Sequence, residues 1–340
     1  MEWVRGQSIG HGSFATVSLA KPTNHSSGFP PLMAVKSCGV SHSDSLMRER
    51  MILDQLKDCP EILRCYGDCF TIENGQKLYN VTLEYASGGS LSDRVKNSEN
   101  LRLPESDVRR YTNSILKGLQ FIHRNGFVHC DIKLQNILLF SGGGNDDVKI
   151  ADFGLAKESK SKSKSESKYE IRGTPMYMSP ETVAGGEQEA PSDIWALGCL
   201  VLEMFTGNPA WTCSDVGPLL MKIGVGAEIP EIPGKLSEAG KDFLSKCFVK
   251  DPNERWTAEM LLDHPFIDGQ DRTTSTSPRN PFDFPDWESE QPIPATPFCL
   301  PEFDSWTGED ACISPAARLG KLVTGETSDW SDEDSWISVR

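Results

Sequence analysis

The stretches His129-Cys-Asp-Ile-Lys-Leu-Gln-Asn136 and Asp152-Phe-Gly154 decide the fold of this chain. Each places polar side chains among apolar neighbours. Asp131, Asn136 and Asp152 supply carboxylate and amide oxygens, which hard cations such as Mg²⁺ prefer as ligands. Lys133 adds a positive charge two residues after Asp131. These stretches therefore hold candidate metal ligands and a neighbouring cation.

A glycine-rich turn stands near the N-terminus, between predicted strands that end at Ile9 and begin at Thr16. Small residues allow backbone N–H groups to approach a ligand closely, as phosphate oxygens require. An ordinary hairpin turn has similar composition and is the alternative interpretation. The candidate phosphate-binding residues are Ile9, Gly10, His11, Gly12, Ser13, Phe14, Ala15, Thr16 and Val17.

Lys36 lies in a predicted apolar strand over residues 32–38. A lysine among apolar residues is costly unless it is paired, so the strand requires a nearby acid. Ser43 has the side chain of a helix N-cap, and the pattern predicts a helix from there to Lys57. Glu49 falls on the apolar face of that helix and is the predicted partner of Lys36. The alternative is that Glu49 is an ordinary solvated acid.

Together with Ala34-Val-Lys36 and Ser179-Pro-Glu181, these stretches follow the order of the protein kinase signature set. The chain resembles a eukaryotic protein kinase over residues 1 to about 268. The resemblance implies an α+β, bilobal fold. Residues 1–86 would form an N-lobe with a small antiparallel sheet and one helix, and residues 87–268 a larger, mainly helical C-lobe. Residues 269–340 would be an acidic, mostly disordered tail.

The resemblance also implies roles for individual residues. Lys36 would hold the α- and β-phosphates of ATP, with Glu49 orienting it. Asp131 would accept the proton of the substrate hydroxyl, and Lys133 would neutralise the transferring phosphoryl group. Asn136 and Asp152 would hold Mg²⁺. The implied hinge residues, which would bind adenine, are Glu84 and Ala86.

Further along the chain, the resemblance implies structural roles. Glu181 would pair with Arg255, and Asp193 would anchor the backbone of the catalytic loop. Helices are predicted over residues 106–125 and near 192–207, 215–224, 237–247 and 257–262, where apolar residues recur at helical spacing.

The chain departs from the family pattern at the residue before the catalytic aspartate. Most kinases of this type carry an arginine there, which receives an activation-loop phosphate, whereas this chain has Cys130. A thiol is neutral and offers no fork of donors. We therefore predict activity that depends little on phosphorylation between Asp152 and Glu181, unless Arg172 replaces the missing arginine. Smaller departures are Ala15 for a glycine and Ser179 for an alanine.

Within the kinases, the motifs around Trp3, Gly12 and Gly173 resemble MEKK-type MAP kinase kinase kinases, especially the compact plant group. That resemblance implies a serine/threonine kinase whose protein substrate is a MAP kinase kinase. A Ser/Thr kinase of another family is the alternative. A pseudokinase scaffold is disfavoured, because Lys36, Asp131, Asn136 and Asp152 are all intact.

Composition limits the remaining possibilities. The net charge is −15, and residues 269–340 carry 14 acidic and 5 basic side chains. No region has the basic footprint of a nucleic-acid-binding protein. The ten cysteines lack a C-x-x-C pair, which favours reduced thiols. No apolar run reaches membrane-spanning length. We expect a monomer of the cytoplasm or nucleus with neither a nucleic-acid nor a membrane partner.

Overall fold

One antiparallel sheet with a helix against it forms the first part of the chain. The computed structural model describes residues 2–12, 15–23, 28–142, 145–159, 172–213, 215–269 and 337–339. The sheet is six-stranded, in the order β10-β1-β2-β3-β5-β4. Its strands are β1 (Trp3–His11), β2 (Thr16–Pro22), β3 (Met33–Gly39), β4 (Cys65–Glu73), β5 (Gln76–Glu84) and β10 (Ile337–Val339).

The register of this sheet places Lys36 at its centre. Lys36 lies opposite Val17 on β2 and Val81 on β5, so its backbone is flanked by strands on both sides. β10 pairs antiparallel with the outer edge of β1, through residues 3–5. Val81 lies opposite Lys36, and Ala34 and Cys38 share its face of β3. All three are buried, so apolar side chains flank the Lys36 side chain.

The helix that follows β3 brings Glu49 to the sheet. A 3-10 turn, Val40–His42, leads directly into α1 (Ser43–Gln55). The prediction that Ser43 is the N-cap is wrong: the cap is His42, and the Ser43 hydroxyl donates to the Val40 carbonyl oxygen at 2.8 Å. The last residue of the 3-10 turn, His42, therefore occupies the N-cap position. Leu46 and Glu49 lie on the buried face, as the spacing predicts.

The rest of the described chain is mainly helical. α5 is apolar on all sides, and nearly every residue from Ser192 to Met204 is buried, so it forms the centre of this part of the core. The helices are α2 (Leu91–Lys96), α3 (Glu105–Arg124), α4 (Pro180–Gly185), α5 (Ala190–Thr206), α6 (Val216–Gly224), α7 (Glu238–Cys247), α8 (Ala258–Leu262) and α9 (Pro265–Asp268).

Two small sheets hold the polar stretches in place. β7 (Ile137–Gly142) and β8 (Asn145–Ile150) form a hairpin between Asn136 and Asp152. β6 (Phe127–Val128) pairs with β9 (Lys157–Glu158), which joins the residues just before His129 to those just after the Asp152 turn. The two polar stretches are therefore fastened to each other by backbone hydrogen bonds.

The α+β architecture predicted from the sequence is confirmed, with an antiparallel sheet and helix followed by a helical part. The predicted lobe boundary at residues 86–87 stays a prediction. The prediction of a disordered tail falls mostly on residues 270–336, which lie outside the described residues. Of the helices in the described ranges, none combines the length and apolar character that a bilayer crossing requires.

Candidate active site

Lys36 lies between two carboxylates. Its Nζ is 2.7 Å from Glu49 Oε2 and 2.9 Å from Asp152 Oδ1. The side chains of Lys36 and Glu49 are only 17% and 4% exposed, whereas that of Asp152 is 48% exposed. We call these three residues the lysine cluster. The ion pair predicted between Lys36 and Glu49 is present, and Asp152 forms its open side.

Lys36 and Asp152 stabilise each other's charged forms, whereas burial raises the pKa of Glu49 even though the Lys36 ammonium acts to lower it. Burial alone would lower the pKa of Lys36, but the Glu49 and Asp152 carboxylates outweigh it and hold that pKa above its usual range. Burial would likewise raise the pKa of Asp152, yet the Lys36 ammonium outweighs it and holds that pKa below its usual range. Both groups are therefore charged near neutral pH.

The catalytic loop gathers its polar groups around the Asp131 carboxylate. Lys133 Nζ lies 2.7 Å from Asp131 Oδ2, and the Asn136 side-chain nitrogen donates to the same oxygen at 3.1 Å. The other oxygen, Asp131 Oδ1, accepts the Thr174 hydroxyl at 2.7 Å. Lys133 also donates to Thr174 Oγ1 at 2.9 Å. A carboxylate, an ammonium and a hydroxyl thus meet within hydrogen-bonding distance.

The backbone of this loop is held by Asp193, near the start of α5. Its carboxylate accepts the backbone N–H groups of His129 and Cys130, both at 2.9 Å, and the ring of His123 at 2.9 Å. Asp193 is 1% exposed. Although burial would raise the pKa of Asp193, the hydrogen bond from His123 helps to hold it below its usual range. The anchoring role expected for Asp193 matches these contacts.

Two non-glycine residues of the site adopt the left-handed backbone conformation. φ is +67° at Cys130 and +64° at Asp152. Such residues are strained unless the surroundings hold them, and they cluster at functional sites. Here the Asp193 carboxylate holds Cys130, and the Lys36 ammonium holds the Asp152 side chain.

The glycine-rich turn connects β1 and β2 as predicted. Gly10 lies opposite Val17 in the ladder, and the Gly12 N–H donates to the Ala15 carbonyl oxygen at 2.8 Å. Ala15, which replaces a glycine of the family pattern, packs its methyl group against the core. Ser13 and Phe14, also predicted to bind the cofactor, lie outside the described residues.

The predicted hinge begins where β5 ends. Glu84 is the last residue of β5, and Ala86 lies two residues further on, outside any strand or helix. The Glu84 carboxylate accepts Lys149 Nζ at 2.6 Å, which ties the end of β5 to β8. The Glu84 N–H donates to the Arg64 carbonyl oxygen at 2.9 Å, so a ligand here would have to use other backbone groups of residues 84–86.

A buried ion pair supports the far side of the site. Arg255 makes a bidentate contact with Glu181, with Nη1–Oε1 and Nη2–Oε2 distances of 2.7 and 3.0 Å. Their side chains are 0% and 11% exposed. Arg255 also donates to the carbonyl oxygens of Val249 and Pro191. The sequence-based expectation of a structural Glu181–Arg255 pair matches this geometry.

At Gly173 the backbone passes close to the backbone of the catalytic loop. Its φ is +106°, and a Cβ at this position would lie 2.4 Å from the Cys130 carbonyl oxygen. Only glycine fits without a shift of the backbone. This close approach brings Thr174 onto Asp131.

Some functional contacts were missed by sequence reasoning. Thr174 is not among the site residues predicted from the sequence, although its position directly after Gly173 could have indicated a role at Asp131. His123 was assigned only to the apolar helix α3, where periodicity gives no hint of its bond to Asp193. Gln188 and Glu189 lie in a polar stretch without periodicity, and no sequence pattern pointed to them.

Comparison with known proteins agrees with the geometry. The family model "Protein kinase domain" matches residues 3–267. Mitogen-activated protein kinase kinase kinase 20 of Arabidopsis thaliana is 50% identical, and the match covers 100% of both chains. Kinase kinase kinase 18 of the same plant is 39% identical over 100% of this chain and 99% of its own. Kinase kinase kinase 17 is 42% identical over 78% of this chain and 70% of its own. The chain therefore belongs to the protein kinase family and, within it, to the serine/threonine kinases of the MAP kinase kinase kinase group.

Proposed function

We propose that this chain transfers the γ-phosphoryl group of ATP to serine or threonine hydroxyls of a MAP kinase kinase. The observation that carries the proposal is the Thr174 hydroxyl, which donates to Asp131 Oδ1 at 2.7 Å while Lys133 contacts the same hydroxyl oxygen. A general base must lie within hydrogen-bonding distance of the proton that it accepts. Asp131 meets this requirement for a hydroxyl of threonine type.

In this proposal the protein contributes position and charge more than covalent chemistry. Asp131 orients the substrate hydroxyl and accepts its proton. Lys133 stabilises negative charge beside that hydroxyl. Lys36, charged and held by Glu49, binds the α- and β-phosphates. The backbone of the turn from Ile9 to Val17 covers the phosphates, and the backbone of residues 84–86 binds adenine.

Asn136 and Asp152 are the residues that would hold Mg²⁺. Both hydrogen bonds of the Asn136 side chain to Asp131 use its amide nitrogen, so the amide oxygen is the atom that can ligate a cation. The Asp152 carboxylate is half exposed beside Lys36. Mg²⁺ is commonly bound by one or two protein groups together with substrate phosphates, and it neutralises phosphate charge. The residues present fit that donor set.

The choice of a MAP kinase kinase as substrate is supported by the names of the relatives. Two of these relatives match over 100% of this chain and are called mitogen-activated protein kinase kinase kinases. A kinase of another Ser/Thr family would use a different protein substrate with the same active site. The substrate is therefore the part of the proposal that most needs a direct test.

The test is phosphate transfer to a panel of MAP kinase kinases made inactive by replacing their own catalytic lysine. Purified full-length protein is supplied with radiolabelled ATP and Mg²⁺, and the modified residues are mapped. We expect labelling of activation-loop serine or threonine. Variants of the substrate with alanine at those positions should lose the label. Lys36→Met serves as the inactive control.

A generic serine peptide, assayed in parallel, separates the two parts of the proposal. Transfer to the peptide but to no MAP kinase kinase would overturn the substrate and leave the kinase chemistry standing. Transfer to neither, with the ATP affinity retained, would overturn both.

We further propose that the protein acts as a monomer in the cytoplasm or nucleus, without a nucleic-acid partner. Free thiols support a reducing compartment, and the eight cysteines that the structure describes are all free. Sedimentation of the purified chain tests the oligomeric state, and a fluorescent fusion tests the compartment.

A further inference from the structure

Two adjacent residues contact both ends of the segment that follows Asp152. The Gln188 side chain donates to the Arg172 carbonyl oxygen at 2.6 Å. The Glu189 carboxylate accepts the Ser159 hydroxyl at 2.6 Å and lies 3.1 Å from Lys157 Nζ. Residues 160–171 connect these two ends and lie outside the described residues. We call Gln188 and Glu189, with their partners Lys157, Ser159 and Arg172, the clasp.

The clasp is directly connected to the catalytic loop. Lys157 lies on β9, opposite Val128, and the Ser159 N–H donates to the Gly126 carbonyl oxygen at 2.7 Å. Glu189 is the N-cap residue of α5, four residues before Asp193. A shift of Glu189 would therefore reach the catalytic loop along two routes, through the β9–β6 pairing and through the Asp193 carboxylate.

The charges of the clasp surround the position at which the family carries an arginine. Burial raises the pKa of the Cys130 thiol; Asp193 and Glu189 act to raise it further, while Lys157 and Arg172 act to lower it. Two cations and two anions are thus close enough to Cys130 to affect its ionisation. One of the cations, Lys157, has the Glu189 carboxylate 3.1 Å from its Nζ.

We propose that the clasp positions the activation segment without a phosphate. We further propose that phosphorylation of Ser159 breaks the contact between Ser159 and Glu189 and so opens the clasp. This inference rests on the kinase activity proposed above. Glu189 is a positioning residue in this scheme, because it acts through β9 and α5 and does not contact the reacting groups. Gln188, which is 4% exposed, fixes the other end of the segment through a backbone carbonyl.

The effect of Ser159 phosphorylation follows from charge. The bond between Ser159 Oγ and the γ-phosphorus of ATP would form as the bond to the ADP oxygen breaks, and the hydroxyl proton would pass to the base of the acting kinase. The product replaces a hydrogen-bond donor with a dianion next to the Glu189 carboxylate. Like charges repel, so the phosphate would weaken the contact between Ser159 and Glu189. In kinases that carry an arginine before the catalytic aspartate, an activation-loop phosphate has the opposite effect.

The test uses full-length protein treated with phosphatase, with kcat/KM measured on a MAP kinase kinase and on the generic serine peptide. Glu189→Gln removes the charge and should lower kcat/KM roughly tenfold, because charge-assisted hydrogen bonds are the strong ones. Ser159→Glu should lower it by at least about the same factor. Ser159→Thr keeps a hydroxyl and should stay within about threefold of the wild type.

A charge exchange provides the readout that a merely structural role would not produce. Lys157→Glu and Glu189→Lys should each reduce kcat/KM, and the double variant should recover most of the loss because the pair is restored with its signs reversed. Glu238→Gln is the matched control, since it removes a carboxylate from the exposed Lys241–Glu238 pair on α7. It should leave kcat/KM unchanged.

Two results would overturn the proposal. One is wild-type kcat/KM in both Glu189→Gln and Ser159→Glu. The other is a double charge exchange that is no more active than the weaker single variant. Affinity for an ATP analogue and the melting temperature are measured for every variant. If the wild type phosphorylates the peptide but no MAP kinase kinase, the proposed substrate is wrong. The clasp variants are then compared by their kcat/KM on the peptide.

Discussion

The lysine cluster and the clasp both contain a contact between a lysine and a carboxylate, but they differ in their ratio of cationic to anionic groups. In the lysine cluster one ammonium lies between two carboxylates, Glu49 and Asp152. In the clasp one carboxylate, Glu189, lies between an ammonium and a hydroxyl. The first arrangement has negative charge in excess and can accept a cation. The second has its carboxylate matched by donors on this chain.

The lysine cluster has the residue types of the family pattern, whereas the clasp lies near Cys130, where the chain departs from that pattern. The lysine cluster must meet the same phosphates in every kinase, so its residue types are constrained by a ligand. The clasp is not constrained by a ligand, because its contacts join one part of this chain to another. Any set of donors and acceptors with the right geometry can serve there, and Cys130 can replace an arginine without leaving a charge unmatched.

The largest effect is expected at the Arg255–Glu181 ion pair, which is almost closed from water. Arg255→Met leaves the Glu181 carboxylate buried without its bidentate partner, and breaking a buried pair typically destabilises a protein by about 3–5 kcal/mol. Thermal and urea unfolding of the purified variant should show this loss. Arg124→Met, which breaks an exposed contact with Glu259, is the control and should cost no more than about 1 kcal/mol. Equal losses in the two variants would contradict the account of burial.

The second prediction concerns the lysine cluster. Lys36→Arg and Asp152→Asn should each reduce turnover on the order of a thousandfold, since one preorganised electrostatic contact contributes about 3–4 kcal/mol to a transition state. Arginine fails despite its charge because a planar fork does not replace a compact ammonium between two carboxylates. Radiolabel transfer at saturating Mg-ATP is the measurement.

The matched control for this prediction is Lys241→Arg, an exposed lysine on α7 paired with Glu238. It should transfer phosphate at the wild-type rate. Wild-type turnover in Lys36→Arg or Asp152→Asn would mean that the excess negative charge of the lysine cluster has no part in the chemistry.

A smaller effect, with a defined pH dependence, is expected at Asp193. Asp193→Asn presents an amide N–H₂ to backbone N–H donors, and leaving buried donors unsatisfied costs about 1–3 kcal/mol. Because the folded state lowers the pKa of Asp193, its contribution to stability is present above the unfolded pKa, near 3.8. That contribution is lost as the pH falls through the folded-state value.

The difference in the free energy of unfolding between the wild type and Asp193→Asn should therefore shrink at acid pH. Urea unfolding of both proteins between neutral pH and about pH 3 measures this, since the ordinary pKa of aspartate is about 3.9. A stability difference that stays constant down to that pH would show that the Asp193 charge does not hold the catalytic loop.

The elements that sequence analysis predicted well share a physical cause. α3 and α5 have long apolar periodicity or long apolar runs, and Lys36, Asp131 and Asp152 stand in stretches that phosphate chemistry constrains. The β7–β8 hairpin was not predicted, although its sequence carries a signal: a glycine-rich polar stretch, residues 141–147, separates the apolar runs 137–140 and 148–150. Ser43 was misassigned because a preceding 3-10 turn, which leaves little trace in sequence, displaced the cap.

The clasp could not have been predicted, for a different reason. Ser159 and Glu189 are 30 residues apart and lie in polar stretches that carry no periodicity. Their contact exists because β9 is fastened to β6 and because α5 starts nearby, and both facts are properties of the assembled fold. Sequence reasoning instead noted the absence of an arginine at Cys130, which indicated that something must differ here without indicating what replaced it.

The smallest effect is expected from removing phosphate altogether. Since Cys130 provides no charged donors and the clasp is matched without a phosphate, removing phosphate from sites other than Ser159 should change kcat/KM of the full-length enzyme by no more than about fivefold, the scale of an exposed ion pair. Phosphate at Ser159, Ser161, Ser163, Ser165, Ser167 and Thr174 is mapped by mass spectrometry before and after treatment. If Ser159 is the main site occupied, removal of the phosphate should raise activity, because it restores the donor that Glu189 accepts. If other serines carry the phosphate, activity should stay nearly constant. A fall of about a hundredfold, reversed by autophosphorylation, would mean that a phosphate and not Glu189 organises the segment, and the contrast between the lysine cluster and the clasp would no longer hold.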